Sequence, residues 1–300
     1  MSIEPPAPGE PRRPHGPRDP GDAWVVAPTG ERYWGAFGAA GLLALDADRG
    51  VLLQHRVSWS HHGDTWALPG GARHEGESAC DGALREAAEE AGVPDAAIRP
   101  RLLSVLDLGY WSYTTVVGDV TRSFEPTISD PESRELAWVA PDQVTDKPLH
   151  PGFASSWTML RPLLEVHPAV VVDAANVVGS VPDGWWHDRP GAADRLIGQV
   201  GRLAVDGVAA AALDLPEHTW YPEWEVVIEG EARAAGAVAE GVEVVRAAAS
   251  GDDAIVAETK RLLGAHRTVT VVTSDRELGR RVTDAGAAIR GARWLLDQLS

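Results

Sequence analysis

Between residues 70 and 93 the chain reads GGARHEGESACDGALREAAEEAGV, a glycine turn running into an alanine-rich segment with three closely spaced glutamates. Ser78 and Asp81 have the pattern of a capping box, residues 79–91 are mostly good helix formers, and Gly92 supplies a left-handed stop. The spacing therefore predicts a helix over 79–91. Glu86, Glu89 and Glu90 fall at i, i+3 and i+4, which puts their carboxylates on one face with Cβ atoms about 5–6 Å apart. Such like charges repel one another unless a cation sits among them. With oxygen donors and no Cys or His on that face, the fitting ion is hard and divalent, Mg²⁺ or Mn²⁺, which keeps waters and bridges to phosphate oxygens. The plain alternative is a solvated acidic helix in which Arg85 pairs with Glu89 at i+4.

Gly71, five residues, Glu77, seven residues and then Arg85-Glu86-Ala87-Ala88-Glu89-Glu90-Ala91-Gly92-Val93 match the whole Nudix box, with Ala87 as a small version of its aliphatic position. Residues 23–165 thus resemble the Nudix hydrolases. The resemblance implies that Glu86, Glu89 and Glu90 hold the divalent ions and that Glu86 or Glu89 orients or deprotonates the attacking water. It makes Arg85 the residue that steers that carboxylate and the Gly70 carbonyl a further ligand. Gly71 and Glu77 are expected at the substrate. Glu132, just before a strand expected at 135–139, is the candidate for one more metal carboxylate, with an exposed loop acid as the alternative.

Length and 44% hydrophobic content suffice for two globular domains, and no stretch approaches a membrane span. Residues 1–22 lack the apolar core of a secretory signal and are too proline-rich and polar to pack, so they are expected to be a disordered tail. The single cysteine, Cys80, cannot make an internal disulfide, which fits a reducing cytoplasm, and it reads as a small packing side chain. Net charge is −17 and neither folded half is basic, an unfavourable overall field for a nucleic acid. Small phosphorylated metabolites are less affected.

Strands are expected at 24–26, 37–46 and 51–56, the last two joined by a turn at 47–50, with residues 66–69 as the strand that delivers Gly70. Residues 58–65, with His61 and His62, read as a surface loop beside the site, where solvated histidines are commoner than ligands. After the helix, strands at 102–108, 113–120 and 135–139 and an amphipathic segment at 154–165 complete an α/β/α sandwich with a mixed sheet.

A new regime begins at 169–173, a continuous apolar run ending in Asp173, as expected of a strand buried on both faces of a parallel sheet. Helices at 194–205, 254–263 and 277–285 and strands at 208–214, 242–246 and 268–272 alternate after it. That alternation predicts right-handed crossovers and a site at the carboxyl ends of the strands, where Asp173, the pair Asp252 and Asp253, and Asp275 should converge. Asp214, the strand-end acid of 208–214, reads as a turn residue. Asp173-Ala174-Ala175-Asn176, Gly251-Asp252-Asp253 and Thr273-Ser274-Asp275 together resemble the NYN group of PIN-like ribonuclease domains over most of residues 168–300. By that resemblance the four acids bind divalent metal and Asn176 orients a ligand or phosphate. Residues 260–300 are locally basic, and Arg276 and Arg280, one turn apart near Asp275, are candidates for a phosphate contact, with a solvated basic helix as the alternative. Trp185, Trp186, Trp220 and Trp224 are candidates for base stacking, although most of the 12 tryptophans should be packing groups.

The expected protein is α/β throughout: a tail over 1–22, a Nudix sandwich over 23–166, and a PIN-like, Rossmannoid parallel-sheet domain over 167–300. It would be a cytoplasmic Mg²⁺- or Mn²⁺-dependent hydrolase of a phosphoanhydride in a nucleoside diphosphate-linked substrate, with RNA as a partner of the second domain. Two alternatives stay open, a nucleotide-sensing Nudix module that regulates an NYN ribonuclease, and a Nudix enzyme with a non-catalytic NYN-like interaction module.

Overall fold

A computed structural model describes residues 1–6, 21–94, 96–182 and 184–300 and divides into two compact units, Met1–Leu164 and Glu165–Ser300. In the first unit, β1 (Ser2–Glu4), β2 (Trp24–Val26) and β3 (Arg32–Trp34) form a three-stranded antiparallel sheet. Residues 2–4 were expected in the disordered tail, yet they pair in register with 24–26, because backbone pairing to an edge strand needs no apolar side chains. Residues 7–20 of that tail lie outside the described residues.

The main sheet of the first unit is built on β4 (Ala39–Asp46) and β5 (Gly50–Arg56), apolar runs joined where the Asp46 carboxylate accepts the Asp48 and Arg49 N–H groups at 3.0 Å each. Next come β6 (Trp66–Ala67) and β7 (Gly70–Ala72), a pair that Pro69, lacking an N–H, splits where one strand was expected. After α1 (Ala79–Ala91) follow β8 (Ile98–Asp107), β9 (Ser112–Val120), β10 (Ser133–Val139) and α2 (Pro151–Leu163). The sheet order is β10-β5-β4-β9-β8, with β6 on β5 and β7 on β4; β4 and β9 are parallel and the other pairs antiparallel.

Helix α1 begins at Ser78, whose hydroxyl accepts the Asp81 N–H at 3.0 Å, and ends at Gly92 with φ 62°. Its alanine stripe, Ala83, Ala87 and Ala91, is fully buried against Ala40, Leu42, Ala44, Leu52 and Val116. At about 100° per residue, Glu90, Glu86 and Glu89 stand progressively farther round from that stripe. Their burial follows the geometry: Glu86 and Glu90 are buried and Glu89 is exposed. Leu43, Leu53, Leu102 and Val117 point to the opposite face and are also buried, so the sheet is covered on both sides. Shortening a core residue such as Leu42 to Ala would cost about 2–5 kcal/mol.

The second unit starts with β11 (Pro168–Asp173), buried along its whole length as the apolar run predicts, followed by α3 (Ala174–Gly179) and α4 (Arg189–Asp206). A short antiparallel ribbon, β12 (Val208–Ala209) and β13 (Thr219–Trp220), precedes β14 (Glu223–Ile228), β15 (Val242–Arg246), α5 (Gly251–Gly264), β16 (Thr268–Val272), α6 (Arg276–Ala285), β17 (Ala288–Arg290) and α7 (Ala292–Gln298). Five parallel strands lie in the order β15-β14-β11-β16-β17. Ala169, Val171, Val227, Val269 and Val271 pack against Ile255 and Leu262 of α5 and Leu278 and Val282 of α6. Val170 and Val172 point the other way, and α4 contacts β14 and β15. The sheet is therefore doubly wound, with its switch point between β11 and β16, where ligands of such sheets bind.

The second parallel strand corrects the sequence expectation. Residues 208–214 carry only a two-residue strand and a 3₁₀ turn, since the alanine run has little strand preference, and the strand beside β11 is β14 instead. Trp220 and Trp224 are 0% and 1% exposed, so they are packing groups and not stacking platforms; Trp186, at 53%, stays accessible.

Candidate functional site

The first site lies where the β7 turn meets α1. The Gly70 N–H donates to the Glu90 carboxylate at 2.9 Å. A Cβ added to Gly71 would sit 2.6 Å from the Glu86 carboxyl carbon, so glycine is what lets the turn close over that carboxylate. Arg85 spreads its guanidinium across four partners: Glu77 at 2.8 and 3.0 Å, Glu86 at 2.7 Å, the Ala72 carbonyl at 3.0 Å, and Glu89 at 3.6 Å. The Glu77 oxygens accept from Arg85 and from the His74 N–H, and the Arg85 contact holds its carboxyl down to about 2. Glu77 thus braces the turn and holds Arg85. Gly71 likewise serves Glu86.

Burial, and then the neighbouring Glu86 charge, raise the Glu90 carboxyl well above the usual range; Arg56 opposes and Glu132 adds to that rise. Glu132 is therefore brought to the same neighbourhood, 3.7 Å from the Arg56 guanidinium. Two residues that the sequence did not single out belong here. Arg56, at the end of β5, pairs with Glu132 and lowers Glu90, and Tyr113 of β9 has its phenol pushed up by burial and by Glu90 and Glu86. Spacing could not reveal them, because they arrive on other strands. Two buried carboxylates repelling across a glycine turn make a donor set that fits a hard divalent ion. The Cys80 thiol is pushed up to about 11 by burial, as a packing cysteine's would be.

The second constellation stands at the switch point of the parallel sheet. Asp173 ends β11 nearly buried, accepting from the Asn176 N–H at 3.0 Å and the Thr273 hydroxyl at 2.9 Å. The Asn176 side-chain oxygen in turn accepts the Ser274 N–H at 2.8 Å, and Asp275 caps α6 by accepting from the Glu277 and Leu278 N–H groups. Asp252, in the first turn of α5, is raised by burial, by Asp275 and by Glu229; Asp173 is raised by burial and by Asp252 and Glu229. The expected acids Asp173, Asp252 and Asp275 thus form one electrostatic group; Asp253 also acts on Asp252, while its own carboxylate pairs with Arg281 at 2.6 Å. Asp214 sits in a left-handed turn, paired with Arg290.

Glu229 is the acid the sequence missed. It follows β14 and accepts the Gly251 N–H at 2.7 Å, and recognising residues 223–228 as a strand would have exposed it as a strand-end acid. Arg276 and Arg280 line an open groove of about 700 Å³ with Thr273, Ser274 and Asp275. Among the described residues, the group of three potential ligands with atoms all within 4.8 Å of one another is His61, His62 and His150, and neither carboxylate group is drawn together that closely.

Residues 36–160 match the NUDIX domain. Over 154 residues the chain is 48% identical to a Mycobacterium tuberculosis protein named "Putative 8-oxo-dGTP diphosphatase 3", covering 48% of this chain and 70% of that one. It is 39% identical over 146 residues to a Bifidobacterium longum protein named a nucleoside triphosphate pyrophosphatase/Nudix hydrolase fusion protein, with 46% and 30% covered. The crystal structure of the Nudix hydrolase RenU from M. smegmatis is 46% identical, covers 48% of this chain and 95% of its own, and superposes with a TM-score of 0.44.

Proposed function

The chain belongs to the Nudix family, and on that premise we propose that residues 23–166 hydrolyse a phosphoanhydride in a nucleoside diphosphate-linked substrate with Mg²⁺ or Mn²⁺. The observation that carries this reading is the buried Glu86–Glu90 pair under the glycine turn, held by Arg85. Glu86, Glu89, Glu90, the Gly70 carbonyl and Glu132 would hold the ion, which supplies an activated water and charge stabilisation on the transferred phosphoryl group. The chain's own part is positioning. Arg85 keeps the Glu86 carboxylate in one orientation, and the burial of Glu90 excludes water from one side of the site.

Aromatic groups adjoin Tyr113 and suit a nucleobase: Trp111 lies 6.2 Å from it and stacks on Tyr33 at 4.7 Å and 30°. The mycobacterial relative's name makes 8-oxo-dGTP the first substrate to assay. The purified chain should be incubated with it, unmodified nucleoside triphosphates, ADP-ribose, dinucleotides and 5′-triphosphorylated RNA, with release of phosphate, pyrophosphate and nucleotide products followed. Metal-dependent turnover that Glu86→Gln removes supports the reading; turnover independent of Glu86 sinks it.

For the second unit we propose a PIN-like, NYN-type domain that cuts RNA with metal held by Asp173, Asp252 and Asp275, the carboxylate of Glu229 completing the set. Support comes from the convergence of these acids at the switch point and from Arg276 and Arg280 in the adjoining groove. Asp253 is left out of that set because Arg281 holds it. The Asp173→Asn chain should lose all cleavage of single-stranded RNA.

A further inference from the structure

His61, His62 and His150 come together although they are far apart in sequence. His61 and His62 lie in the loop after β5, where His62 has φ 54° and its carbonyl accepts the Thr65 hydroxyl at 2.5 Å. His150 stands just before α2, and its N–H donates to the Trp66 carbonyl at 2.8 Å while the Trp66 N–H donates to the Pro148 carbonyl at 2.8 Å. Strand β6 thus fastens the segment carrying His150 beside the loop. The ring centroids of His61 and His62 are 4.1 Å apart and those of His62 and His150 4.7 Å, and each residue offers a ring nitrogen within 4.8 Å of the other two. Trp24 lies edge-on to His61 at 5.6 Å, which limits the swing of that ring.

We propose that these three histidines form a second metal site, for Zn²⁺ as a borderline-soft divalent ion, separate from the carboxylates of α1. Imidazole nitrogens suit zinc and carboxylate or carbonyl oxygens suit magnesium, so the two donor sets sort the ions by chemistry. Three protein nitrogens also leave a fourth, open tetrahedral position for water or a ligand. A rival role, gripping a substrate phosphate, needs charged imidazolium. Burial lowers His61 and holds His150 down to about 4, with His62 and Arg56 acting in the same direction, which favours the neutral rings that bind metal over the charged rings that would grip phosphate. The field of Arg56, which works against any cation here, is partly offset by Glu132 at 3.7 Å.

One consequence is specific to this geometry. His150 Nδ1 accepts the Gly152 N–H at 3.1 Å, which caps α2 and leaves Nε2 as the nitrogen for metal. Ligation through Nε2 moves the ring proton to Nδ1, where it can no longer accept that bond. Zinc occupancy should therefore loosen the first turn of α2.

The full chain, carrying no added histidines and stripped with a chelator, is dialysed against micromolar Zn²⁺ in millimolar Mg²⁺ and its zinc content measured. We expect one more equivalent of zinc in the wild type than in the double variant His61→Ala/His62→Ala. His150→Ala alone should weaken binding by at least the roughly 10- to 100-fold seen when even an outer-shell partner is lost. His61 and His62 are exposed, so the double variant should keep its fold, with unchanged circular dichroism as the check. Faster hydrogen exchange of the Gly152 amide in the zinc-loaded wild type, absent from the double variant, would support the proton shift. Equal zinc in wild type and double variant, or none in the wild type, overturns the proposal.

Discussion

The two acid groups differ in how the chain assembles them. In the first unit three glutamates share one face of one helix, four residues from first to last, and the helix is fixed by its own caps and alanine stripe. In the second unit Asp173, Glu229, Asp252 and Asp275 come from four separate segments, and only the parallel sheet brings them together. A site carried by one helix survives small errors in placing its neighbours, whereas one spread over strand ends is only as readable as the strand order. The contrast extends to partners. Arg85 holds Glu86 directly, while Asp173 is held by a hydroxyl and a backbone N–H at the carboxyl end of the central strand.

The largest effects expected are at the first site. Glu86→Gln should lower kcat/KM for nucleotide hydrolysis by about 10²-fold or more, the scale of losing one preorganised group, with the fold intact. Steady-state kinetics on the best substrate checks it, and full turnover would remove the basis for treating the helix acids as a site. Arg85→Lys should follow with a loss of about tenfold or more, because an ammonium cannot reach Glu77, Glu86 and the Ala72 carbonyl in one planar fork.

At the second site the comparison sharpens into a pair. Glu229→Gln should weaken RNA cleavage strongly and Asp253→Asn hardly at all, measured as single-turnover rates on the same RNA. The reverse order would return the switch-point group to the set expected from sequence.

The smallest effect is on stability. Glu225 is buried in β14 beside Arg261 of α5, and burial pushes its carboxyl up to about 7 in spite of that cation. Its folded value lies above the unfolded one, so its contribution is full below about pH 4.3 and is lost as pH rises through about 7. Glu225→Gln should flatten the fall in stability of Glu165–Ser300 between about pH 4.3 and 7, read by denaturant titration at each pH. An unchanged slope would mean that Arg261 keeps this carboxylate charged in the folded chain.

Much of the first unit was legible because its signals are local. The Ser78 cap and the hairpin turn at Asp46 use side chains within three residues of their targets, and the Gly92 stop uses its own left-handed backbone. Glu132 was readable as a neighbour of the site, while Arg56 and Tyr113 were not, since only the pairing of β5, β4 and β9 sets their distance from Glu90. The second unit was harder for one identifiable reason. Strand β14 carries Glu223 and Glu225, charges that disguise a buried parallel strand, while 208–213 is an unbroken apolar run that lacks strand preference. Losing β14 also cost the sequence reading Glu229, and it left Trp220 and Trp224 as candidates for stacking when both are core. No helix among the described residues is long and apolar enough to cross a membrane.

The central claim is that two acid sites in one chain do separate work, and the most direct measurement compares nucleotide hydrolysis and RNA cleavage in parallel for wild type, Glu86→Gln and Asp173→Asn. Each variant should lose one activity and keep the other at the wild-type rate, with both chains showing unchanged circular dichroism. Loss of both activities in either folded variant, or RNA cleavage that Asp173→Asn leaves untouched, would contradict it.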